Sequence, residues 1–290
     1  MNLKGVFEKA VVYEEMLWPR HLMARVGRHA FDSEWPPLRS ALIRSFLRTQ
    51  PVDMSDALIE DPFAYPSFAS FFGRELRPGA RTIAPGSDEL ASPVDGMVAS
   101  HGDIHDGSLI QAKGREFTLA ALLASAFPQN PSLHDGDYLT IYLAKHDYHR
   151  VHAPMDCTLL RTTYVPGRLF SVNPRSAESI DDLYARNERL ICEFGASFGT
   201  FVLVMVGAGF VSGIETRWEP RTPHDRRRAS CRDHRGEGIS FAKGEEIGTF
   251  RLGSTVVLVL PARVTTWDDG VANGSKVRMG QALARVGCVG

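Results

Sequence analysis

Thr249-Phe250-Arg251-Leu252-Gly253-Ser254-Thr255-Val256-Val257-Leu258-Val259-Leu260 sets a Gly-Ser pair directly before an unbroken apolar, β-prone run. The run predicts a strand, and Gly-Ser between two β-prone segments reads as its opening turn or first residues. Further runs of the same kind fall at 138–143, 158–165, 189–194, 200–206 and 211–218. Upstream the pattern changes. Residues 1–60 read as helical, with Leu38, Ala41, Leu42 and Phe46 on one side and Arg39, Arg44 and Arg48 away from it, and 118–126 is the clearest later helix. Helices first and strands later predict an α+β fold, with a helical N-terminal region followed by a mainly antiparallel β body. The corresponding division is a helical region at 1–60 and a β-rich body at 61–290.

The 290 residues, 43% of them hydrophobic, suffice for a substantial core. The formal charge of -1 hides an uneven distribution: residues 1–50 hold eight Lys/Arg against five Asp/Glu. No stretch reaches the roughly 20 apolar residues needed to span a bilayer, and the first residues lack a secretory apolar segment, so membrane contact is expected to be peripheral. The cysteines at 157, 192, 231 and 288 form no CxxC pair, which suggests neither a disulfide framework nor a zinc site and makes a reducing cytoplasm the default. Between 219 and 238, Arg221, Arg226, Arg227, Arg228, Arg232 and Arg235 accompany prolines without apolar periodicity, and the segment reads as a mobile loop. With no aromatic residue after Trp218 for base stacking, the loop suits solvent first and anionic lipid second, and no nucleic-acid partner is expected.

Gly253-Ser254 also carries chemistry. A serine hydroxyl becomes a nucleophile when a base takes its proton, and a preceding glycine has no Cβ to obstruct attack on its carbonyl. The pair is therefore a candidate self-cleavage junction. Asp95, in Ser92-Pro93-Val94-Asp95-Gly96, and His149 and His152, in His146-Asp147-Tyr148-His149-Arg150-Val151-His152-Ala153-Pro154, supply the other parts of a charge relay. His152 is the candidate base for Ser254, with Asp95 fixing its tautomer and stabilising the imidazolium. Taken singly, Pro-Val-Asp-Gly is an ordinary turn and His152 an ordinary core histidine. The regular spacing of His146, His149 and His152 raises metal binding, but Tyr148, Val151 and Pro154 favour extended backbone, where residues three apart point to opposite sides. No metal is expected. No Gly-rich phosphate cradle is present either.

These segments occur in one order along the chain together with Val52-Asp53-Met54, Phe68-Ala69-Ser70-Phe71-Phe72-Gly73-Arg74-Glu75-Leu76-Arg77-Pro78-Gly79-Ala80-Arg81, Gln111-Ala112-Lys113-Gly114, Tyr164-Val165-Pro166-Gly167-Arg168-Leu169-Phe170-Ser171-Val172-Asn173 and Ala185-Arg186-Asn187-Glu188-Arg189. The set resembles the phosphatidylserine decarboxylase family, of the prokaryotic, pyruvoyl-dependent proenzyme type. Only the start, the segment near 220–240 and the last few residues look unlike it.

The resemblance implies self-cleavage between Gly253 and Ser254 into a large chain 1–253 and a small chain 254–290 that stay associated. It assigns Asp95, His152 and Ser254 to the charge relay and His149 to proton donation during decarboxylation. The cofactor it implies is a pyruvoyl group made from Ser254, which forms a Schiff base with the substrate amine and acts as an electron sink, so pyridoxal phosphate is not needed. The implied reaction takes phosphatidylserine to phosphatidylethanolamine and carbon dioxide, at the cytoplasmic side of the cell membrane. The loop 164–173 is expected to line the headgroup site through Tyr164, Phe170, Ser171, Val172 and Asn173. A homodimer is compatible with all of this. Two alternatives stand beside it: a pyruvoyl decarboxylase of a soluble amino acid, and a serine hydrolase using Ser254, His152 and Asp95, although Leu-Gly-Ser-Thr is not a Gly-x-Ser-x-Gly elbow.

Overall fold

The apolar run forms the strand Ser254–Leu260, and every one of its seven residues is buried. In the computed structural model, which describes residues 27–124, 131–209, 213–219 and 228–287, this strand lies inside a nine-stranded antiparallel sheet. The order across the sheet is Ser230–Asp233, Cys157–Val165, Arg189–Ala196, Gly199–Gly207, Ser254–Leu260, Asp137–Leu143, Gly96–Asp103 and Lys276–Val277, with Ser240–Phe241 also pairing on Cys157–Val165. Strand alternation divides the core into two layers. Val256, Leu258 and Leu260 join Leu139, Ile141, Leu143, Leu203 and Met205 on one face. Val257 and Val259 join Val202, Val204, Val206, Leu183 and Tyr184 on the other. The fold is α+β, as the order of helical and β-prone segments predicts.

Smaller sheets close the first face. Arg150–His152 pairs with Glu246–Phe250, which pairs in turn with Ile214–Thr216. Glu89–Ala91, Ala282–Val286 and Thr265–Trp267 make another. At Gly96, which opens the sheet strand after Asp95, a Cβ would stand 2.5 Å from the Tyr142 carbonyl oxygen, so only glycine lets the two backbones come this close.

The N-terminal region is helical only in part. Pro36–Thr49 is a helix with Pro at its first turn, and the chain leaves helical geometry at Gln50, directly before Pro51. Residues 50–60 are thus turns and extended chain, contrary to a helix through residue 60, and residues 1–26 lie outside the described residues. Ile43 of this helix is fully buried, and Phe46 meets Phe68, Phe71 and Phe72 edge-on at 5.4, 6.0 and 5.9 Å between ring centres. Those partners sit on the five-residue helix Phe68–Phe72, whose start is fixed by a reciprocal capping box between Ser67 and Ser70. Leu42, Ile43, Phe46 and Leu47 of the helix Pro36–Thr49 therefore pack on the body, while Ala41, expected on the same side, is exposed together with Arg44 and Arg48.

Other boundaries differ from the sequence expectation. The helix predicted at 118–126 is Leu119–Leu123, capped by Thr118 and ended by Ala124 in the left-handed region, with 125–130 outside the described residues. The strand predicted at 211–218 is Ile214–Thr216. The arginine-rich segment read as a mobile loop is ordered in its second half. Ser230–Asp233 pairs along Arg161, Thr162, Thr163 and Tyr164 as an edge strand. Residues 220–227 lie outside the described residues.

Candidate active site

Ser254 is the first residue of the central strand, opposite Leu143 on one side and Gly207 on the other. It is fully buried, and its Oγ has no hydrogen-bond partner. Buried hydroxyls usually find a partner; Ser254 shares the exception with Thr140, Thr255 and Tyr184, and is the one of them that follows a glycine at a candidate junction. Strand alternation puts its side chain on the face of Val256 and Leu258, the face covered by Arg150–His152 and Glu246–Phe250. At Gly253, the nearest atom to a Cβ position is the Ala208 carbonyl oxygen at 4.0 Å, which leaves room about the Gly253 carbonyl.

The two histidines stand on the neighbouring layer. Phe250 N–H donates to the His149 carbonyl at 2.9 Å, and the register then pairs Arg150 with Thr249 and His152 with Glu246. The ring of His149 is fully buried against Phe72, 4.2 Å between ring centres. Its Nδ1 lies 2.9 Å from the Asp147 carbonyl oxygen. A carbonyl only accepts, so Nδ1 carries the proton and Nε2 presents a lone pair, which no group satisfies. Burial, above all, pushes the pKa of this imidazole down to about 3, and the charges of Arg74 and His146 act in the same direction.

His152 repeats the tautomer with different partners. Its Nδ1–H donates to the Gly244 carbonyl at 2.8 Å, and its Nε2 accepts from the Tyr148 hydroxyl at 2.8 Å. Burial lowers its proton affinity, while the Gly244 hydrogen bond and the charges of Glu246 and Asp95 oppose that shift. Tyr148 is itself buried, which holds its phenol in the neutral, donating form.

Asp95 sits in the turn beside His152. His152 N–H donates to the Pro93 carbonyl at 2.8 Å, and Ala91 N–H donates to the Pro154 carbonyl at 2.9 Å, so main-chain bonds bring the two segments together. The side chains take separate partners. The Asp95 carboxylate accepts from Arg81 Nη2 at 2.7 Å and from the Met279 N–H at 2.7 Å. Arg81 also pairs with Asp56 at 2.5 Å. Thus Ser254, His149, His152 and Asp95 lie on adjoining segments, and no side-chain hydrogen bond links any two of them. Asp95, Asp147, Tyr148, Arg74, Arg81 and Lys276 border a polar cleft of about 360 Å³.

His146 completes the regular triplet without converging on the others; its Nε2 is 3.6 Å from Asp147 Oδ1. Among the described residues no group of three His, Cys, Asp or Glu side chains could hold a metal ion. The residues expected to line the headgroup site divide between the two faces of the sheet. Tyr164 belongs to the core layer of Val256 and donates to Glu188 at 3.1 Å, whereas Phe170 and Val172 belong to the opposite layer. Asn173 caps the helix Pro174–Ser179, and its Nδ2 donates to Ser171 Oγ at 2.9 Å. The loop still reaches the junction. Asn187 donates to the carbonyls of both Phe170 and Gly207, and Gly207 is the residue opposite Ser254.

Sequence reasoning passed over Arg74, Arg81 and Tyr148, although all three stand within the quoted motifs. Their signal was a basic or phenolic group inside a recognisable segment; their partners lie elsewhere in the chain or on a ring whose direction only the fold sets.

Fold and site together define an α+β protein whose candidate nucleophile, Ser254, is the first residue of the central strand of its own sheet. A family model described as phosphatidylserine decarboxylase matches residues 68–285. The phosphatidylserine decarboxylase proenzyme of Bordetella avium is 44% identical over 282 residues, covering 97% of this chain and 96% of the relative. The protein of that name from Marinobacter nauticus is 40% identical over 283 residues (97% and 99% covered). The one from Xanthomonas axonopodis pv. citri is 44% identical over 271 residues (92% and 95% covered). The chain belongs to the phosphatidylserine decarboxylase family.

Proposed function

We infer that this chain decarboxylates phosphatidylserine to phosphatidylethanolamine and carbon dioxide, after cutting itself between Gly253 and Ser254. Family membership along nearly the whole chain supports the reaction. The observation that carries the site is the buried, unpartnered Ser254 Oγ beside an unobstructed glycine.

In this reading Ser254 Oγ attacks the Gly253 carbonyl while His152 Nε2 takes the hydroxyl proton, exchanging the peptide bond for an ester. Tyr148 must first release that nitrogen. Asp95 favours the imidazolium through its charge, and the Pro93–His152 main-chain bond keeps the two segments adjacent. Loss of the Ser254 α-proton and cleavage of its Cβ–Oγ bond then free the large chain as a carboxylate. The dehydroalanine left on residue 254 takes up water and releases ammonia, leaving a pyruvoyl group. The room at Gly253 and the free Oγ fit such a group. Once present it supplies a ketone that condenses with the substrate amine and accepts the electron pair released as carbon dioxide leaves. His149 moves the protons: its free Nε2 takes one from the incoming ammonium and returns one to the α-carbon.

The headgroup contacts assigned to Tyr164, Phe170, Ser171, Val172 and Asn173 belong to the same proposal, as does the division into a membrane-associating 1–60 and a catalytic 61–290. Among the described residues no helix is long and apolar enough to cross a membrane. A peripheral enzyme at the cytoplasmic face, with exposed Arg44 and Arg48 against anionic lipid, accords with a lipid substrate. Intact mass measurement tests the proposal. Wild type should give chains 1–253 and 254–290, the second blocked by a ketone, and Ser254→Ala should stay one inactive chain of 290 residues. Efficient cleavage of that variant would exclude Ser254 as nucleophile.

A further inference from the structure

The segment Phe72-Gly73-Arg74 has no part in the chemistry so far, yet each of its residues grips the loop that carries His149. Phe72 packs on the imidazole, 4.2 Å between ring centres. The Gly73 carbonyl accepts from Arg150 Nε at 2.9 Å. Arg74, only 5% exposed, donates from one nitrogen, Nη2, to the His146 carbonyl at 2.9 Å and the Asp147 carbonyl at 3.1 Å. The Asp147 carbonyl is the same oxygen that accepts the His149 Nδ1–H.

We infer that Arg74 is a positioning residue for His149: by holding the His146 and Asp147 carbonyls it fixes the acceptor of the Nδ1–H, and so selects the tautomer whose Nε2 is left with a free lone pair. A neutral imidazole freed from such an acceptor exchanges between two tautomers, only one of which can take a proton at Nε2. A lysine would not reproduce this placement, because the guanidinium delivers both hydrogen bonds from a rigid planar group, whereas an ammonium is a compact, strongly hydrated charge on a flexible stem. Its charge adds a second effect on the same ring, since a buried cation nearby disfavours the imidazolium. Placing a full positive charge in a buried site opposite two neutral carbonyls is costly, which argues for a role beyond joining two segments.

The inference rests on the proposed proton transfer by His149 only in its activity arm. The first measurement avoids activity altogether. In the Ser254→Ala chain, 15N spectra of labelled histidine at pH 7 should show His149 with widely separated ring nitrogens, the protonated one being Nδ1. Arg74→Met in that background should bring the two resonances together as the tautomers mix, and Arg74→Lys should give an intermediate pattern. In the chain with Ser254 intact, Arg74→Met should cut normally and decarboxylate roughly tenfold more slowly at saturating substrate, the equivalent of about 1.4 kcal/mol. An unchanged 15N pattern in folded Arg74→Met, or in Arg74→Lys should the former not fold, overturns the inference. A shifted pattern with wild-type decarboxylation supports Arg74's hold on the ring and removes His149 from the proposed mechanism, so the two readings fail separately.

Discussion

Tyr148→Phe isolates one hydrogen bond with almost no change of shape. The phenol is buried and donates to His152 Nε2 at 2.8 Å, while the opposite nitrogen of the ring is held by the Gly244 carbonyl at 2.8 Å. Removing the hydroxyl therefore leaves the imidazole oriented but uncaps the nitrogen proposed to accept the Ser254 proton. In the proposed mechanism that bond has to break before proton transfer, at a net cost of about 1 kcal/mol. The variant starts without it and with a buried lone pair lacking a donor, so its ground state lies closer to the transition state. Self-cleavage should speed up by about fivefold. The assay is the time course of conversion of freshly synthesised full-length chain into two chains, followed by denaturing electrophoresis at pH 7. Thermal unfolding of the Ser254→Ala chain with and without Tyr148→Phe checks that the fold is kept. A slower cut in a folded variant would refute the reasoning and make the phenol a participant in proton transfer. An unchanged rate would mean that His152 Nε2 is not the base.

His149→Ala should cut at nearly the wild-type rate yet lose most decarboxylation, and full turnover in the matured variant would remove its proton-transfer role. The same ring predicts a pH dependence of stability. Its folded pKa of about 3 lies below the ordinary 6.5, so the unfolded chain binds a proton that the folded chain does not. Its contribution is complete above about pH 6.5 and is lost as pH falls toward 3, with a slope approaching 1.4 kcal/mol per pH unit. Urea unfolding of the Ser254→Ala chain between pH 7 and pH 4.5 reads this, and His149→Leu should flatten the slope. Arg44→Glu with Arg48→Glu should weaken binding to anionic vesicles by about 1 kcal/mol per replaced charge, without affecting the cut. Undiminished co-sedimentation at physiological salt would place the membrane surface elsewhere.

The central strand was legible because Val256 to Leu260 combine β-prone side chains with burial on both faces, a signal independent of partners. The α+β order followed from the spacing of similar runs. The edge strand Ser230–Asp233 was not legible, since a solvated strand at the rim needs no apolar alternation and its arginines resemble those of a loop. The helix limit was present as Pro51 but was overridden by the amphipathic pattern before it. At the candidate site, Ser254 and both histidines could be named from local text, and the extended backbone expected there is the strand Arg150–His152. Their partners could not. Arg74 reaches carbonyls more than seventy positions away, His152 finds the Gly244 carbonyl rather than a side chain, and Arg81 occupies Asp95. Backbone acceptors carry no residue-type signature, so only the fold reveals them.

The pairing of Ser254–Leu260 with seven residues on one flank and six on the other gives the order of events a physical basis. A strand in mid-sheet is the hardest piece to add from a separate molecule, because its two neighbours would first have to stand apart with their polar edges open. The bond between residues 253 and 254 keeps the incoming strand at high local concentration while the sheet closes. Once the ladders on both flanks have formed, that tether is no longer needed to hold the strand, and the proposed cut would leave the two polypeptides interleaved as a single cooperative unit. In the proposed maturation, covalent continuity is thus a requirement of assembly and not of the finished enzyme, so dissociation of the two chains should demand the same denaturant that melts the sheet.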